Sequence, residues 1–189
     1  MKINKNTVWS LLLLVVIASL YRIIPNRPTG FAPQIAMALF AGSIIKDKKY
    51  SFLLPLLSMF ISDALYEVLY INGLTQIAGF YSGQYINYIL FVGITVIGFF
   101  IKKTSISHIL GGSLVGTTLY FLASNFLVWL SGTGINNLPY AKSWAGIIEC
   151  YTVALPYYLN SIYATVLFCA ILFGAYALIT KQSAKQSIA

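Results

Sequence analysis

The sequence predicts an all-α polytopic membrane protein, in which residues 1–189 form a single domain built as a bundle of six transmembrane helices. The composition is 59% hydrophobic and only 8% charged, with a mean hydropathy of +0.81. A soluble domain carries about 25% charged residues, because water must solvate its surface. The apolar residues are grouped in six segments, and the basic residues between them are distributed unevenly. These observations predict that lipid surrounds the chain.

The six apolar segments have about the length that a transmembrane helix requires, roughly 20 residues for a hydrocarbon core of about 30 Å. They cover approximately residues 8–24, 31–45, 50–71, 84–101, 108–131 and 153–180. No small-residue cleavage pattern closes the first segment, so we interpret it as a retained helix and not as a signal peptide. Residues 147–155 are also apolar and precede Pro156. They form either an interfacial helix or the first turns of the sixth helix.

The basic residues predict the orientation of the bundle. Of 12 basic residues, three lie on one predicted side, namely Arg22, Arg27 and Lys142. The other nine lie on the opposite side: Lys2, Lys5, Lys46, Lys48, Lys49, Lys102, Lys103, Lys181 and Lys185. Cytoplasmic segments of membrane proteins are enriched in Lys and Arg, so both termini are expected in the cytoplasm. The net charge of +8 therefore reflects topology, and nucleic acid is not an expected partner.

Two carboxylates lie within the third apolar segment, where an ionisable side chain is energetically expensive. At 1.5 Å per residue from Tyr50, Asp63 is about 20 Å and Glu67 about 25 Å across the membrane, in its outer half. Their spacing of four residues places them on one face of the helix. Ionisable residues at such positions are candidates for a functional site.

Other polar and aromatic residues are predicted at the same depth, and we include them as candidate substrate-binding residues: Arg22, Arg27, Asn125, Trp129, Trp144 and Glu149. A polar cluster on one side of an apolar bundle indicates a ligand cavity open to the outside. In the structural alternative, Arg22 neutralises Asp63 or Glu67, and Asn125 bonds a neighbouring helix. The aromatic residues also have a simpler explanation, an aromatic belt at the membrane interface.

Small residues spaced four apart occur at Ala32/Ala36, Ala38/Gly42 and Gly112/Gly116. Such spacing allows two helices to approach closely. We expect packing inside the bundle, with a groove for a partner helix on the second helix as the alternative.

Motifs for catalysis or cofactor binding are lacking in the sequence. It contains no GxSxG, HExxH, Walker or glycine-rich nucleotide motif, and Cys150 and Cys169 lack metal-ligand spacing. We therefore expect no catalytic residues, no metal and no cofactor. The alternative is a small enzyme that uses the Asp/Glu pair on a lipid or isoprenoid.

Four sequence strings resemble a small bacterial membrane family of unknown function, whose members are described only as candidate transport proteins. The strings are RIIPNRPTGFAPQIAMALFAGS at 22–43, PLLSMFISD at 55–63, NFLVW at 125–129 and GIIECYTVALP at 146–156. Gly30 stands where that family often has asparagine. The resemblance implies a location in the bacterial cytoplasmic (inner) membrane.

In size and helix plan, the chain also resembles the substrate-binding S components of energy-coupling factor (ECF) transporters. That resemblance implies capture of a small molecule such as a vitamin or cofactor precursor at the outer face. It also implies docking on an energising module, a coupling subunit with ATPases, which the second helix would contact. Arg22 and Arg27 would contact an anionic or carbonyl group, Asp63 and Glu67 a cationic or hydrogen-donating group. Asn125 would orient the substrate, and Trp129 and Trp144 would line the cavity.

Overall fold

The computed structural model describes residues 5–132 and 138–186, which form helices and their connections without a β-strand. Lys2 and the middle of the connection between the last two helices, residues 133–137, lie outside the described residues, as do the side chains of Lys5 and Lys185. The helices in these two ranges are α1 Lys5–Arg22, α2 Gln34–Ile44, α3 Lys48–Ser51, α4 Leu53–Ile71, α5 Tyr85–Gly98, α6 Ile106–Ser131 and α7 Trp144–Gln186. The all-α prediction is therefore confirmed.

Within the described residues, three helical segments are long and apolar enough to cross a membrane: Lys48–Ile71, Ile106–Ser131 and Trp144–Lys181. They indicate a membrane protein. The shorter apolar segments are Leu12–Arg22, Gln34–Ile44 and Tyr85–Gly98. With 11 residues, α2 rises only about 16 Å, about half of a hydrocarbon core.

Helix α2 is the centre of the bundle, because every residue from Gln34 to Gly42 is buried. It packs against α4, α5, α6 and α7. Gly42 and Gly98 let α2 and α5 approach closely, since a Cβ added at Gly42 would lie 2.9 Å from the Gly98 Cα. The small residues of α2 therefore serve packing within the chain, as expected, while a contact between the second helix and a transport partner stays a prediction.

Helix α7 differs most from its predicted boundaries, beginning at Trp144 instead of residue 153. Pro156 lies inside it, and residues 147–155 form its first turns. At 43 residues, α7 is about twice the length that a bilayer crossing requires.

The two ends of the bundle have different character. Ser43 donates to the Ile101 carbonyl at 2.9 Å, which joins the end of α2 to the segment after α5. The end of the bundle that contains this hydrogen bond is called the lysine-rich end. Its described lysines are Lys46, Lys48, Lys49, Lys102, Lys103 and Lys181. The opposite end, the loop end, comprises the connections 23–33, 72–84 and 138–143.

Candidate functional site

Arg22 and Asp63 form an ion pair near the loop end, between the last residue of α1 and the middle of α4. Asp63 is 1% exposed. Its Oδ1 accepts from the Arg22 guanidinium, and its Oδ2 accepts from the Gln84 amide and, at 2.6 Å, from the Tyr88 hydroxyl. We call these four residues the Asp63 network. A buried carboxylate requires such partners, because it has lost its hydration.

The remaining contacts of Arg22 also lie within the protein. Its Nη1 donates to Ser62 Oγ at 2.6 Å, and its carbonyl accepts from the Tyr66 hydroxyl at 2.7 Å. The guanidinium lies 5.8 Å from the centre of the Tyr66 ring. These contacts support the structural alternative for the pair, while the predicted substrate-binding roles of Arg22 and Asp63 stay predictions.

Glu67 holds the connection 72–84 against α4. Its Oε2 accepts from the backbone N–H groups of Gly79 at 3.0 Å and Phe80 at 3.1 Å. Gly79 is required there, since an added Cβ would lie 1.9 Å from the Asp63 carbonyl oxygen. Both predicted carboxylates therefore lie on one face of α4 and bind protein groups in this structure.

A chain of hydrogen bonds connects this loop to α6. The Asn87 amide donates to the Tyr81 hydroxyl at 2.8 Å, and the Tyr120 hydroxyl donates to Asn87 Oδ1 at 3.1 Å. Burial raises the pKa of Tyr81, an effect that the positive charge of Arg22 partly opposes, so this hydroxyl is neutral at pH 7. The Asp63 network and α6 are thus linked through the loop.

Arg27 lies in the connection 23–33 between α1 and α2. Its Nη1 donates to the Phe31 carbonyl at 2.6 Å, while its Nε is buried without a hydrogen-bond partner. The turn around it places Asn26 at φ 59° and Gly30 at φ 84°, a backbone region that favours glycine. Arg27 therefore stabilises the connection 23–33 through a hydrogen bond to its backbone. Its role in substrate binding stays a prediction.

Trp129, Trp144 and Glu149 lie near the end of α6 and the start of α7. Trp129 Nε1 donates to the Ala141 carbonyl at 2.9 Å, which ties α6 to the connection that follows it. Trp144 is 82% exposed and Glu149 is also exposed. Exposure at this position suits the aromatic-belt alternative for Trp144.

A cavity of about 230 Å³ lies between the connection 23–33, α6 and α7. Its described lining residues are aromatic, hydroxyl-bearing, amide or small: Thr29, Gly30, Thr117, Tyr120, Phe121, Ser124, Asn125, Ala154, Tyr157, Tyr158 and Ser161. None of them is charged. Asn125 is the member of this lining that the sequence predicted.

The connection 23–33 docks directly on α7 to form one wall of the cavity. Ser161 Oγ donates to the Gly30 carbonyl and Asn160 Nδ2 to the Thr29 carbonyl, both at 2.9 Å. A Cβ added at Gly30 would lie 2.4 Å from the Tyr157 carbonyl oxygen. Glycine at this position therefore permits both the positive φ and the close approach.

Several polar groups in the wall are already engaged, and one is not. The Tyr158 hydroxyl bonds Thr118 Oγ1 at 2.8 Å, and the Tyr158 ring stacks on Phe121 with centroids 4.4 Å apart. Asn125 Nδ2 donates to the Phe121 carbonyl at 2.8 Å. The Thr117 hydroxyl, on a side chain 1% exposed, has no partner. Leaving a buried hydroxyl unpaired costs about 1–3 kcal/mol.

Sequence reasoning did not include Thr117, Tyr157 or Tyr158 among the candidate binding residues. A threonine in an apolar helix ordinarily bonds the carbonyl four residues earlier, as Thr95 does with Phe91 at 2.8 Å. The sequence contains no signal that separates Thr117 from Thr95. Only the three-dimensional packing does so.

Comparison with known proteins identifies a family and no function. The described residues contain no group of three His, Cys, Asp or Glu side chains that could hold a metal ion. Neither a curated protein nor a solved structure matches the chain. One family model matches residues 2–187, nearly the whole chain, in agreement with the predicted membership of an uncharacterised family. The chain belongs to DUF6580, a family of unknown function.

Proposed function

We propose that this membrane protein captures a small, neutral, planar molecule in the cavity at the loop end, as a substrate-binding subunit or small transporter. The observation that carries the proposal is the Thr117 hydroxyl, buried in the cavity wall without a partner. A ligand that hydrogen-bonds this group would recover the energy that the unpaired hydroxyl forfeits.

The lining suggests the chemical class of the ligand. A charged molecule would lose its hydration without gaining an ionic partner, because the described lining carries no charge. Four aromatic rings, those of Tyr120, Phe121, Tyr157 and Tyr158, suit a flat ring system. The volume of about 230 Å³ is below the roughly 300–1,000 Å³ typical of sites for drug-sized ligands. A small heterocycle, such as part of a vitamin or cofactor precursor, fits these limits.

The proposed topology has six crossings in a bacterial cytoplasmic membrane, with both termini in the cytoplasm. The cavity and the lysine-rich end then lie at opposite faces, which agrees with the positive-inside rule. Docking on an energising module would follow the plan of ECF S components and remains part of this proposal. No partner surface is assigned to α2, because it is buried.

Thr117→Val tests the proposal, since valine has nearly the same shape and lacks the hydroxyl. Removing an unpaired buried hydroxyl should leave the ligand-free protein as stable as wild type, or up to about 1–3 kcal/mol more stable. The same change should weaken ligand binding about 10- to 100-fold, the factor that about 1.4–2.8 kcal/mol represents. The measurement is the shift in unfolding temperature of the detergent-solubilised protein with a series of small neutral heterocycles.

Thr165→Val is the matched control. Thr165 is also fully buried with an unpartnered hydroxyl, but it does not line the cavity. It should therefore raise the stability of the ligand-free protein similarly and leave the ligand-induced shift unchanged. Equal ligand shifts in wild type and Thr117→Val would contradict the proposed site, and so would a series in which charged compounds bind best.

A further inference from the structure

A second cavity, of about 420 Å³, lies at the lysine-rich end between the connection 99–105 and the last turns of α7. It is lined by Lys103, Thr104, Tyr176, Ala177, Thr180 and Lys181. Two ammonium groups and the Thr104 hydroxyl therefore line it, with no carboxylate among the described lining residues. The Thr180 hydroxyl already donates to the Tyr176 carbonyl at 2.9 Å. Such a set of donors suits a phosphate group.

The Lys103 ammonium is already fixed at the cavity wall. Its Nζ donates to the Tyr176 hydroxyl at 2.9 Å and lies 5.0 Å from the centre of that ring. Tyr176 is held in turn by an edge contact with Phe40, with centroids 6.2 Å apart. An ammonium carries three donors, so Lys103 can bind an anion without breaking this contact. Because the Lys103 side chain is held before the anion binds, it loses less conformational entropy on binding.

No acidic side chain is among the described residues that line the cavity. The chain has four acidic residues in all. Asp63 and Glu67 are engaged near the loop end, and Glu149 is at the start of α7. Asp47, which precedes α3 at the lysine-rich end, pairs with Lys49 at 3.7 Å. An incoming anion would therefore supply the missing negative charge.

The cavity also lies where the apolar part of the protein ends. The apolar stretch of α7 runs to Lys181, and the large side chains of Phe100 and Leu178 are exposed close by in sequence. Apolar side chains open to lipid next to paired lysines match the arrangement of acyl chains and headgroup at a membrane interface. We propose that this cavity binds the phosphate of an anionic phospholipid.

The test compares the affinity of the purified full-length protein, in neutral detergent, for phosphatidylglycerol and for phosphatidylcholine with the same acyl chains. Binding is measured by native mass spectrometry, with inorganic phosphate as a separate probe. Wild type should prefer phosphatidylglycerol. Lys103→Gln and Lys181→Gln should each weaken its binding about fivefold, since one lysine near a membrane surface contributes about 1 kcal/mol.

Two control variants separate this site from general surface charge. Lys46→Gln removes an exposed lysine at the same end outside the cavity and should leave the affinity unchanged. The double variant Lys103→Arg/Lys181→Arg keeps the charge and should keep binding. An equal loss in Lys46→Gln, or full binding in the double glutamine variant, would overturn the proposal. If inorganic phosphate displaced the lipid at equal concentration, the cavity would be a site for free phosphate, and the proposal of a phospholipid ligand would be wrong.

Discussion

Asp63→Ala should destabilise the protein more than any exposed charge substitution, because it removes the centre of the Asp63 network. The wild-type carboxylate is buried and accepts hydrogen bonds from Arg22, Gln84 and Tyr88. Its loss leaves the Arg22 guanidinium partly buried without an ionic partner. Breaking a buried pair in this way costs about 3–5 kcal/mol. Reversible unfolding in mixed detergent micelles measures the change in the free energy of unfolding.

Asp47→Ala provides the comparison, because Asp47 pairs with Lys49 at 3.7 Å with both side chains exposed. Exposed pairs contribute about 0–1 kcal/mol. The double variant Arg22→Leu/Asp63→Leu should lose less than the sum of its single changes, since no unpaired charge remains. Equal stability of Asp63→Ala and Asp47→Ala would refute the reasoning that the pair stabilises the fold.

Two further predictions concern packing and the loop end. Gly42→Ala should lower the free energy of unfolding by about 1–3 kcal/mol, since the added Cβ would lie 2.2 Å from the Thr95 carbonyl oxygen. Gly93→Ala is the control, because a Cβ added there has no atom within 4 Å. It should be neutral or stabilising in the same unfolding assay. Glu67→Ala should speed cleavage of the connection 72–84 in limited proteolysis several-fold, because two backbone N–H groups lose their acceptor. Unchanged cleavage relative to Glu149→Ala would show that Glu67 does not hold this loop.

The clustering of Arg22 with Asp63 followed from the sequence because the energetics of charge in hydrocarbon leave few alternatives. A carboxylate in the middle of an apolar helix needs a partner, and few basic residues were predicted on that side. The i, i+4 spacing also placed Asp63 and Glu67 correctly on one face. Apolar patterning likewise predicted helices at about the observed positions, with errors concentrated at their ends.

The lining of the cavity and the central position of α2 could not be predicted, because both depend on packing between segments distant in sequence. Helix α2 looks like a short crossing helix when taken alone, and only its burial by four other helices explains its length. The start of α7 was predicted at residue 153, because the apolar pattern did not decide whether residues 147–155 form an interfacial helix or the first turns of α7, and the structure shows the latter. The cavity wall depends on the docking of Gly30 against Tyr157, a contact between residues 127 positions apart that apolar patterning does not encode.

Native mass spectrometry of the gently purified protein tests the binding function most directly. Wild type should carry a small neutral molecule, and so should Thr165→Val. Ala154→Phe, which adds a ring to the buried cavity wall, should be empty while keeping the cooperative unfolding transition of a folded protein. An empty wild-type protein, or the same bound mass in Ala154→Phe, would contradict the assignment of this cavity as a binding site.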